Sequence, residues 1–326
     1  MKNIQYTQSA GIPRRSMVEE FLCHRNGSEW WYCTGYLNDK GGPMFSFQFT
    51  LARIRIFGIQ LNILMTALTD FETGVHYYVQ KPVFFGKDVI ITPEKVGLDG
   101  LAEMTFAPDR LSLGMHDTDY VLSLSMKPTK EPVWHAEDGI LKMGLDDPKE
   151  RTYYWSYTNL VTTGQLTLKG RTYEVSGKSW FDKQGGTYTL TKRWTNWEWF
   201  SLRFFDNEEI MLFSFPQDDY RDGTFIAKSG KYSRLNDYDI SPLGFTQAGG
   251  SKFSSGWKVD LKKVKGGQYT IVPKIDGQLN LFYYELLADI KDGKGKNVGY
   301  CFVELLPGVY NQTNPLKAFS RVKPGH

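Results

Sequence analysis

Glu29-Trp30-Trp31-Tyr32-Cys33-Thr34-Gly35-Tyr36 places Trp31, Cys33 and Gly35 on one side of the chain and Trp30, Tyr32, Thr34 and Tyr36 on the other. Side chains alternate across a strand with period two, so this stretch reads as β-strand. Asn38-Asp39-Lys40-Gly41-Gly42 carries turn chemistry and Met44–Leu51 starts a second run, which together predict a hairpin. The pattern returns at Gly164-Gln165-Leu166-Thr167-Leu168, Lys169-Gly170 and Thr172-Tyr173-Glu174-Val175, and again at Trp199–Phe205, Asp206-Asn207 and Ile210–Phe215. Long amphipathic helical stretches are absent from the sequence. Short strands separated by Gly, Asp and Asn predict sandwiches or barrels.

The opening stretch also recurs. Glu198-Trp199-Phe200 echoes Glu29-Trp30-Trp31 at an offset of 169 residues, and Phe213-Ser214-Phe215 echoes Phe45-Ser46-Phe47 at 168, close to half of the 326-residue length. More loosely, the stretch from Val175 to Asp182 resembles that from Asn297 to Glu304. A tandem duplication accounts for these matches, and each half is long enough to bury its own core. The expected organisation is an irregular lead-in over 1–26, a first β-barrel domain over 27–190 and a second over 191–326, joined between about Gly186 and Trp197.

Composition narrows the function. The 21 Phe, 19 Tyr and 9 Trp beside 32 Gly fit antiparallel sheet with tight turns. A net charge of +3, with Lys and Arg scattered, gives no footprint for nucleic acid or a membrane surface. The most apolar window, Phe57–Leu68, is interrupted by Gln60 and Asn62 and falls short of the ~20 residues that span a bilayer, so no integral membrane association is expected. Arg14, Arg15, Glu19 and Glu20 break up the first 26 residues, which argues against a signal peptide. Cys23, Cys33 and Cys301 have neither the count of a disulfide framework nor the spacing of a zinc site. A cytoplasmic location is therefore the expectation.

No metal motif, phosphate loop, dinucleotide fingerprint or nucleophile elbow is present, so neither metal nor cofactor is expected. The densest chemistry lies between Arg151 and Gly186, which holds Tyr153-Tyr154-Trp155-Ser156-Tyr157 and Trp180-Phe181-Asp182-Lys183-Gln184-Gly185-Gly186. On a strand, Trp180 and Asp182 share a face, which sets a carboxyl beside an indole. Facing an apolar cavity, that carboxyl would hold its proton and serve as a general acid. The plainer reading makes Asp182 the cap of a turn at Lys183-Gln184-Gly185-Gly186. Glu29 and its counterpart Glu198 read first as structural anchors, since both halves carry one and a single active site is expected. Trp30, Trp31, Trp197 and Trp199 read mainly as packing residues, with Trp31 and Trp199 also candidates for a ligand pocket. His135, in Trp134-His135-Ala136-Glu137, is a candidate proton shuttle or an ordinary hydrogen-bonded histidine.

Glu29-Trp30-Trp31-Tyr32-Cys33-Thr34-Gly35, then Gly164–Leu168 and the stretch from Val175 to Gly185, resemble the carotenoid 1,2-hydratase/AttH-like family of paired lipocalin-like domains. Trp197-Glu198-Trp199-Phe200 and Tyr283-Tyr284-Glu285 are similar to the start and end of that family's second domain, so the resemblance spans essentially the whole chain. It implies an all-β, calycin-type fold of two tandem lipocalin-like antiparallel β-barrel domains. It also implies cofactor-free chemistry on hydrophobic unsaturated molecules, namely hydration of carotenoid ends or prenylated phytoalexins, with pericyclic cyclases among more distant relatives. Asp182 matches the family's Asp, and Trp180 stands where an aromatic is usual. Two departures stand out: Lys183 occupies the place of a frequent His, and Tyr300-Cys301-Phe302-Val303-Glu304-Leu305 is a lengthened form of a Gly-Tyr-x-Glu-Leu ending.

The favoured expectation is a hydratase or dehydratase acting on an isoprenoid-like or prenylated small molecule. Asp182 would protonate the alkene, and Trp180, Tyr154 and Trp155 would face the resulting cation, a contact worth ~2 kcal/mol or more when desolvated. The alternatives are a cyclase or isomerase that folds a polyene, and a lipocalin-like carrier that releases its apolar ligand unchanged.

Overall fold

Period-two alternation becomes strand over most of the residues that the structure, a computed structural model, describes: 4–6, 17–24, 27–38, 42–56, 59–84, 88–136, 138–143, 150–186, 197–281 and 283–310. The described residues up to 186 form one compact unit, and those from 197 onward form a second. The join expected between Gly186 and Trp197 falls on 187–196, outside the described residues, as do 39–41 of the first expected turn.

The first unit contains β1 (Ser28–Asn38), β2 (Pro43–Ile56), β3 (Ile59–Asp70), β4 (Val75–Phe84), β5 (Val89–Ile91), β6 (Lys95–Leu98), β7 (Ala102–Ala107), β8 (Arg110–His116), β9 (Tyr120–Pro128), β10 (Val133–Trp134), β11 (Ile140–Lys142), β12 (Arg151–Leu168) and β13 (Arg171–Gly186). The second contains β14 (Glu198–Phe204), β15 (Glu209–Phe215), β16 (Tyr220–Ile226), β17 (Tyr232–Leu235), β18 (Asp239–Ala248), β19 (Ser251–Asp260), β20 (Gln268–Pro273), β21 (Leu279–Asn280), β22 (Tyr283–Lys291) and β23 (Asn297–Leu305). Each unit is one curled, barrel-like antiparallel sheet, so the fold is all-β with two tandem barrel-like domains.

The strand orders are β4–β3–β2–β1–β13–β12–β9–β8–β7–β6–β5 and β17–β16–β15–β14–β23–β22–β20–β19–β18. In both sheets the first strand lies between the second strand and the last, which makes β1 the topological equivalent of β14 and β13 that of β23. Glu29 pairs with Arg53 and Gly185, and Glu198 pairs with Ser214 and Leu305. The two Glu-Trp pairs therefore hold equivalent places.

The Phe-Ser-Phe match does not survive in register. Ser46 pairs with Tyr36 near the far end of β1, whereas Ser214 pairs with Glu198 itself. The β1–β2 hairpin is the longer of the two, and alternating apolar runs on both β2 and β15 produce the match without equivalence. The ending match is displaced as well. Gln184 pairs with Trp30 and Glu304 with Trp199, so Glu304 corresponds to Gln184, and Asp182 corresponds to Phe302.

Local chemistry explains the turns. Lys169 and Gly170, both at positive φ (48° and 82°), join β12 to β13 in the geometry that a two-residue hairpin of primed type requires. Lys183-Gln184-Gly185-Gly186 is no turn but the continuation of β13, so Asp182 lies within a strand and does not cap a turn. The reading of Asp182 as a turn cap is thereby overturned.

One core sits in each sheet. In the first, Trp31, Cys33, Phe47, Trp155 and Phe181 are fully buried with the leucines of β8, β9 and β12. Residues ahead of β1 take part: a short helix α1 (Met17–Glu20) leads to Phe21, which stacks on Phe106 at 3.7 Å, and Trp31 Nε1 donates to the Phe21 carbonyl at 2.9 Å. Burying each such side chain contributes roughly 1.5–3 kcal/mol. In the second, Phe200, Leu202, Trp257 and Ile271 form the centre.

Candidate active site

A β-bulge in β12 decides which residues meet Asp182. Tyr157 pairs with Phe181 but Leu160 pairs with Ser179, so one extra residue shifts the register between them. Beyond the bulge the even-numbered Leu160, Leu166 and Leu168 enter the core; before it the odd-numbered Trp155 and Tyr157 do. Tyr154 and Ser156 are thus turned to the opposite face. There they meet Trp180 and Asp182, which β13 presents away from Phe181 and the core.

Four polar groups converge at this point. Trp180 Nε1 donates to Asp182 Oδ1 at 2.6 Å, and Tyr154 OH donates to Oδ2 at 3.1 Å. Ser156 Oγ makes a short hydrogen bond to Oδ1, and His135 Nε2 lies 2.7 Å from the same Ser156 Oγ. All five side chains are buried, with Asp182 only 4% exposed and His135 fully covered. The loop after β10 delivers His135: Ala136, Asp138 and Gly139 all have positive φ, folding the chain tightly enough for the His135 amide to bond the Tyr154 carbonyl. The imidazole then packs, tilted by 33°, against the Tyr154 ring with the ring centres 4.2 Å apart. Burial lowers the His135 pKa to about 3, so the ring is neutral at physiological pH.

The other face of β13 holds a separate charged cluster. Lys183 Nζ donates to Glu29 Oε2 at 2.5 Å and stands 3.9 Å from the centre of the Trp31 ring. His24 Nδ1 is 3.0 Å from Oε2, the His24 amide donates to Oε1 at 2.9 Å, and Arg53 Nε is 3.8 Å from Oε1. Burial alone would raise the Glu29 carboxyl, but Lys183 and His24 outweigh it and hold the pKa at about 2. A Cβ at Gly185 would fall 2.1 Å from Glu29 Cβ, so only glycine lets the two strands approach here.

Sequence-predicted site residues therefore separate into groups. Asp182, Trp180, Tyr154 and His135 come together. Trp155 and Trp31 lie on the opposite face, in the core, because adjacent or register-shifted residues on paired strands point apart. Trp199 is buried on β14 in the second unit, on the face away from Phe200 and the core centre. Glu137 lies outside the described residues. Ser156, the link between His135 and Asp182, carries no motif; the signal for it is parity with Tyr154. The second unit has no copy of this centre, since the positions matching Ser156, Trp180 and Asp182 are Leu287, Tyr300 and Phe302. Among the described residues, no group of three or more His, Cys, Asp or Glu side chains converges as a metal site would, and no helix is long and apolar enough to cross a membrane.

Two tandem barrel-like β domains, with the Asp182 carboxyl buried among Trp180, Tyr154 and Ser156 in the first, define the class. Residues 16–308 match the AttH-like family, and the chain belongs to that family. A solved structure of a putative AttH protein from Nitrosomonas europaea is similar with a TM-score of 0.79 and 22% identity, covering 93% of this chain and 99% of that one. Kievitone hydratase from Nectria haematococca is similar with a TM-score of 0.70 and 16% identity, covering 94% and 96%. At these identities the likeness is one of fold. No curated protein matches.

Proposed function

We propose that the chain is a hydratase or dehydratase that adds water to, or removes it from, a hydrophobic unsaturated small molecule of isoprenoid-like or prenylated type, without a resident cofactor. The observation that carries this reading is the path from His135 Nε2 through Ser156 Oγ to Asp182 Oδ1. Kievitone hydratase, named for hydration, shares the fold and supports the reaction class.

In the hydration direction, Asp182 gives its proton to the less substituted alkene carbon and the π pair forms the new C–H bond. The cation left on the neighbouring carbon is stabilised by the electron-rich faces of Trp180 and Tyr154. Water adds to that carbon, and its surplus proton returns to the Asp182 carboxylate, which closes the cycle with one water consumed. Burial disfavours an imidazolium at His135, so the ring does not hold the charge of a proton passed along the Ser156 path. Donors fixed before the substrate arrives need no reorganisation during the step. The buried free thiols of Cys23, Cys33 and Cys301 suit a reducing compartment such as the cytoplasm.

The test is to incubate the chain in heavy water with prenylated phenols and acyclic carotenoids and to follow products by mass spectrometry. The expected product has gained one water and carries deuterium on carbon. Asp182→Asn keeps the fold and loses about 10²-fold or more in turnover, the usual contribution of general acid catalysis. A hydrated product without carbon-bound deuterium rules out alkene protonation, and an unlabelled isomer of the substrate points to a cyclase instead.

A further inference from the structure

The most apolar window of the sequence, Phe57–Leu68, opens where β2 turns into β3, and the fold leaves the end of that hairpin uncovered. β1 begins at Ser28 and first pairs with β2 at Glu29 and Arg53, while β4 last pairs with β3 at Phe84 and Leu61. The hairpin runs on past both. Its last two pairs, Arg55 with Gln60 and Ile56 with Ile59, have no third strand beside them among the described residues; residues 57 and 58 lie outside those. The Arg55 amide donates to Ser28 Oγ at 3.2 Å and fixes the base of this two-stranded ribbon. At about 3.3 Å per residue, the pair of Ile56 with Ile59 stands ~10 Å beyond Arg53.

Strand parity decides which side of the ribbon is apolar. On β2 the odd-numbered Phe47, Phe49 and Leu51 enter the core, and on β3 the even-numbered Leu64 and Leu68 do. Ile54, Ile59, Leu61 and Ile63 therefore share the opposite face. Along that face the cover fails by degrees. Ala52 and Ile63 are buried, Ile54 and Leu61 are half-buried, and Ile59 is 62% exposed, the highest value among the large apolar side chains described. An apolar face that the fold covers at one end and leaves bare at the other marks a contact surface. The charges beside it have one sign. Across β2, β3 and β4 the exposed charged side chains are Arg55, in the ribbon itself, and Lys81, further back on β4. Arg53 is spent on Glu29 and Tyr6, and the single acidic residue of these strands, Asp70, is buried at the far end of β3.

We propose that the end of the β2–β3 hairpin is a peripheral membrane anchor, which seats Ile59 among the acyl chains of an anionic bilayer and sets Arg55 at the phosphate headgroups. Charge complementarity selects the anionic surface, since the exposed charges of these strands are positive. A protein partner fits less well: two residue pairs at the end of a ribbon fall short of the ~800 Å² that each side of a standard interface buries. A bilayer sets no such threshold, because an interfacial segment needs only an apolar side seated about 5–10 Å deep with cations beside it. The scattered net charge of +3 does not register this surface, since one apolar tip and two cations leave the composition unchanged. The anchor stands independently of the hydratase reading and brings the chain to the phase in which apolar molecules dissolve.

The test is co-sedimentation of the full chain with vesicles of equimolar phosphatidylcholine and phosphatidylglycerol, beside vesicles of phosphatidylcholine alone. The wild type is expected to pellet with the anionic vesicles and to bind the neutral ones about 5-fold more weakly or less still, the factor that one basic side chain contributes near an anionic surface. Arg55→Gln is expected to lose about 5-fold on the anionic vesicles and nothing on the neutral ones. Ile59→Glu abolishes pelleting with both and keeps the wild-type urea midpoint, because the position is exposed. Leu243→Glu, at a position 61% exposed in the second unit, pellets as the wild type does, and so does Asp182→Asn, which separates the anchor from the proposed acid centre. Pelleting that survives Ile59→Glu, or an equal loss in Leu243→Glu, would overturn the proposal. So would a wild type that does not pellet, and a dimer that Ile59→Glu then dissolves would assign the tip to a second copy of the chain.

Discussion

Asp182 and Lys183 are consecutive on β13 and serve opposite faces of it, one accepting from Tyr154, Ser156 and Trp180 and the other donating to Glu29 at 2.5 Å. Strand alternation keeps the ammonium from the neighbouring carboxyl. Lys183 is consumed by Glu29 and the Trp31 ring, while Asp182 accepts from the Tyr154 and Ser156 hydroxyls and the Trp180 indole. That separation lets one strand carry both a structural ion pair and the carboxyl proposed as the acid.

Ser156→Ala tests the link between His135 and Asp182. The substitution removes one hydroxyl and leaves the imidazole and the carboxyl in place. Turnover in the hydration assay is expected to fall about 10²-fold, the lower range for general acid–base contributions, with KM little changed. Turnover within a factor of two of wild type would show that the path carries no proton.

How much of this arrangement the sequence announces depends on the distance over which each relation acts. Trp180 beside Asp182 is legible because two residues on one strand share a face, and Glu29 matching Glu198 is legible because the words repeat. Tyr154 against Trp155 is undecided without the bulge, since Leu166 and Leu168 downstream suggest that even positions face inward, and they do so only after Tyr157. Lys183 beside Glu29 is closed across 154 residues by sheet pairing, which no local pattern encodes. The Phe-Ser-Phe echo shows the opposite hazard, a local likeness with no shared register.

Lys183→Met leaves Glu29 buried with a weakened set of partners. Breaking a buried pair from one side costs about 3–5 kcal/mol, so urea unfolding of the variant is expected to show a loss of that order. Glu29→Gln combined with Lys183→Met is expected to lose less than Lys183→Met alone, because no uncompensated charge remains. In the wild type the Glu29 pKa is lowered, so its stabilisation is fully present above the ordinary value near 4.5 and is lost as pH falls toward about 2. A double variant as unstable as Lys183→Met alone would contradict the charge argument.

Gly185→Ala acts on the same place through the backbone. The added Cβ would fall 2.1 Å from Glu29 Cβ and 2.7 Å from its Cα, and neither atom can swing aside as a side-chain tip does. The β1–β13 pair must part locally, for an expected loss of about 2 kcal/mol or more in thermal or urea unfolding. A variant as stable as wild type would mean that the strands approach less closely than these distances require.

Glu198 predicts the reverse pH dependence from Glu29. Its folded pKa, raised by burial to about 7, lies above the unfolded value near 4.5, so the folded state binds the proton more tightly. That preference is fully present below about pH 4.5, drains away as pH rises, and is spent above about pH 7. Glu198→Gln cannot ionise and so removes the dependence. Urea unfolding at pH 5 and pH 8 is the measurement: relative to wild type, the variant is expected to gain about 2–3 kcal/mol between the two pH values, the free-energy equivalent of a shift of this size. A constant difference between variant and wild type across that interval would place the Glu198 carboxyl in an ordinary, solvated environment and remove the ground for treating the two glutamates as electrically distinct.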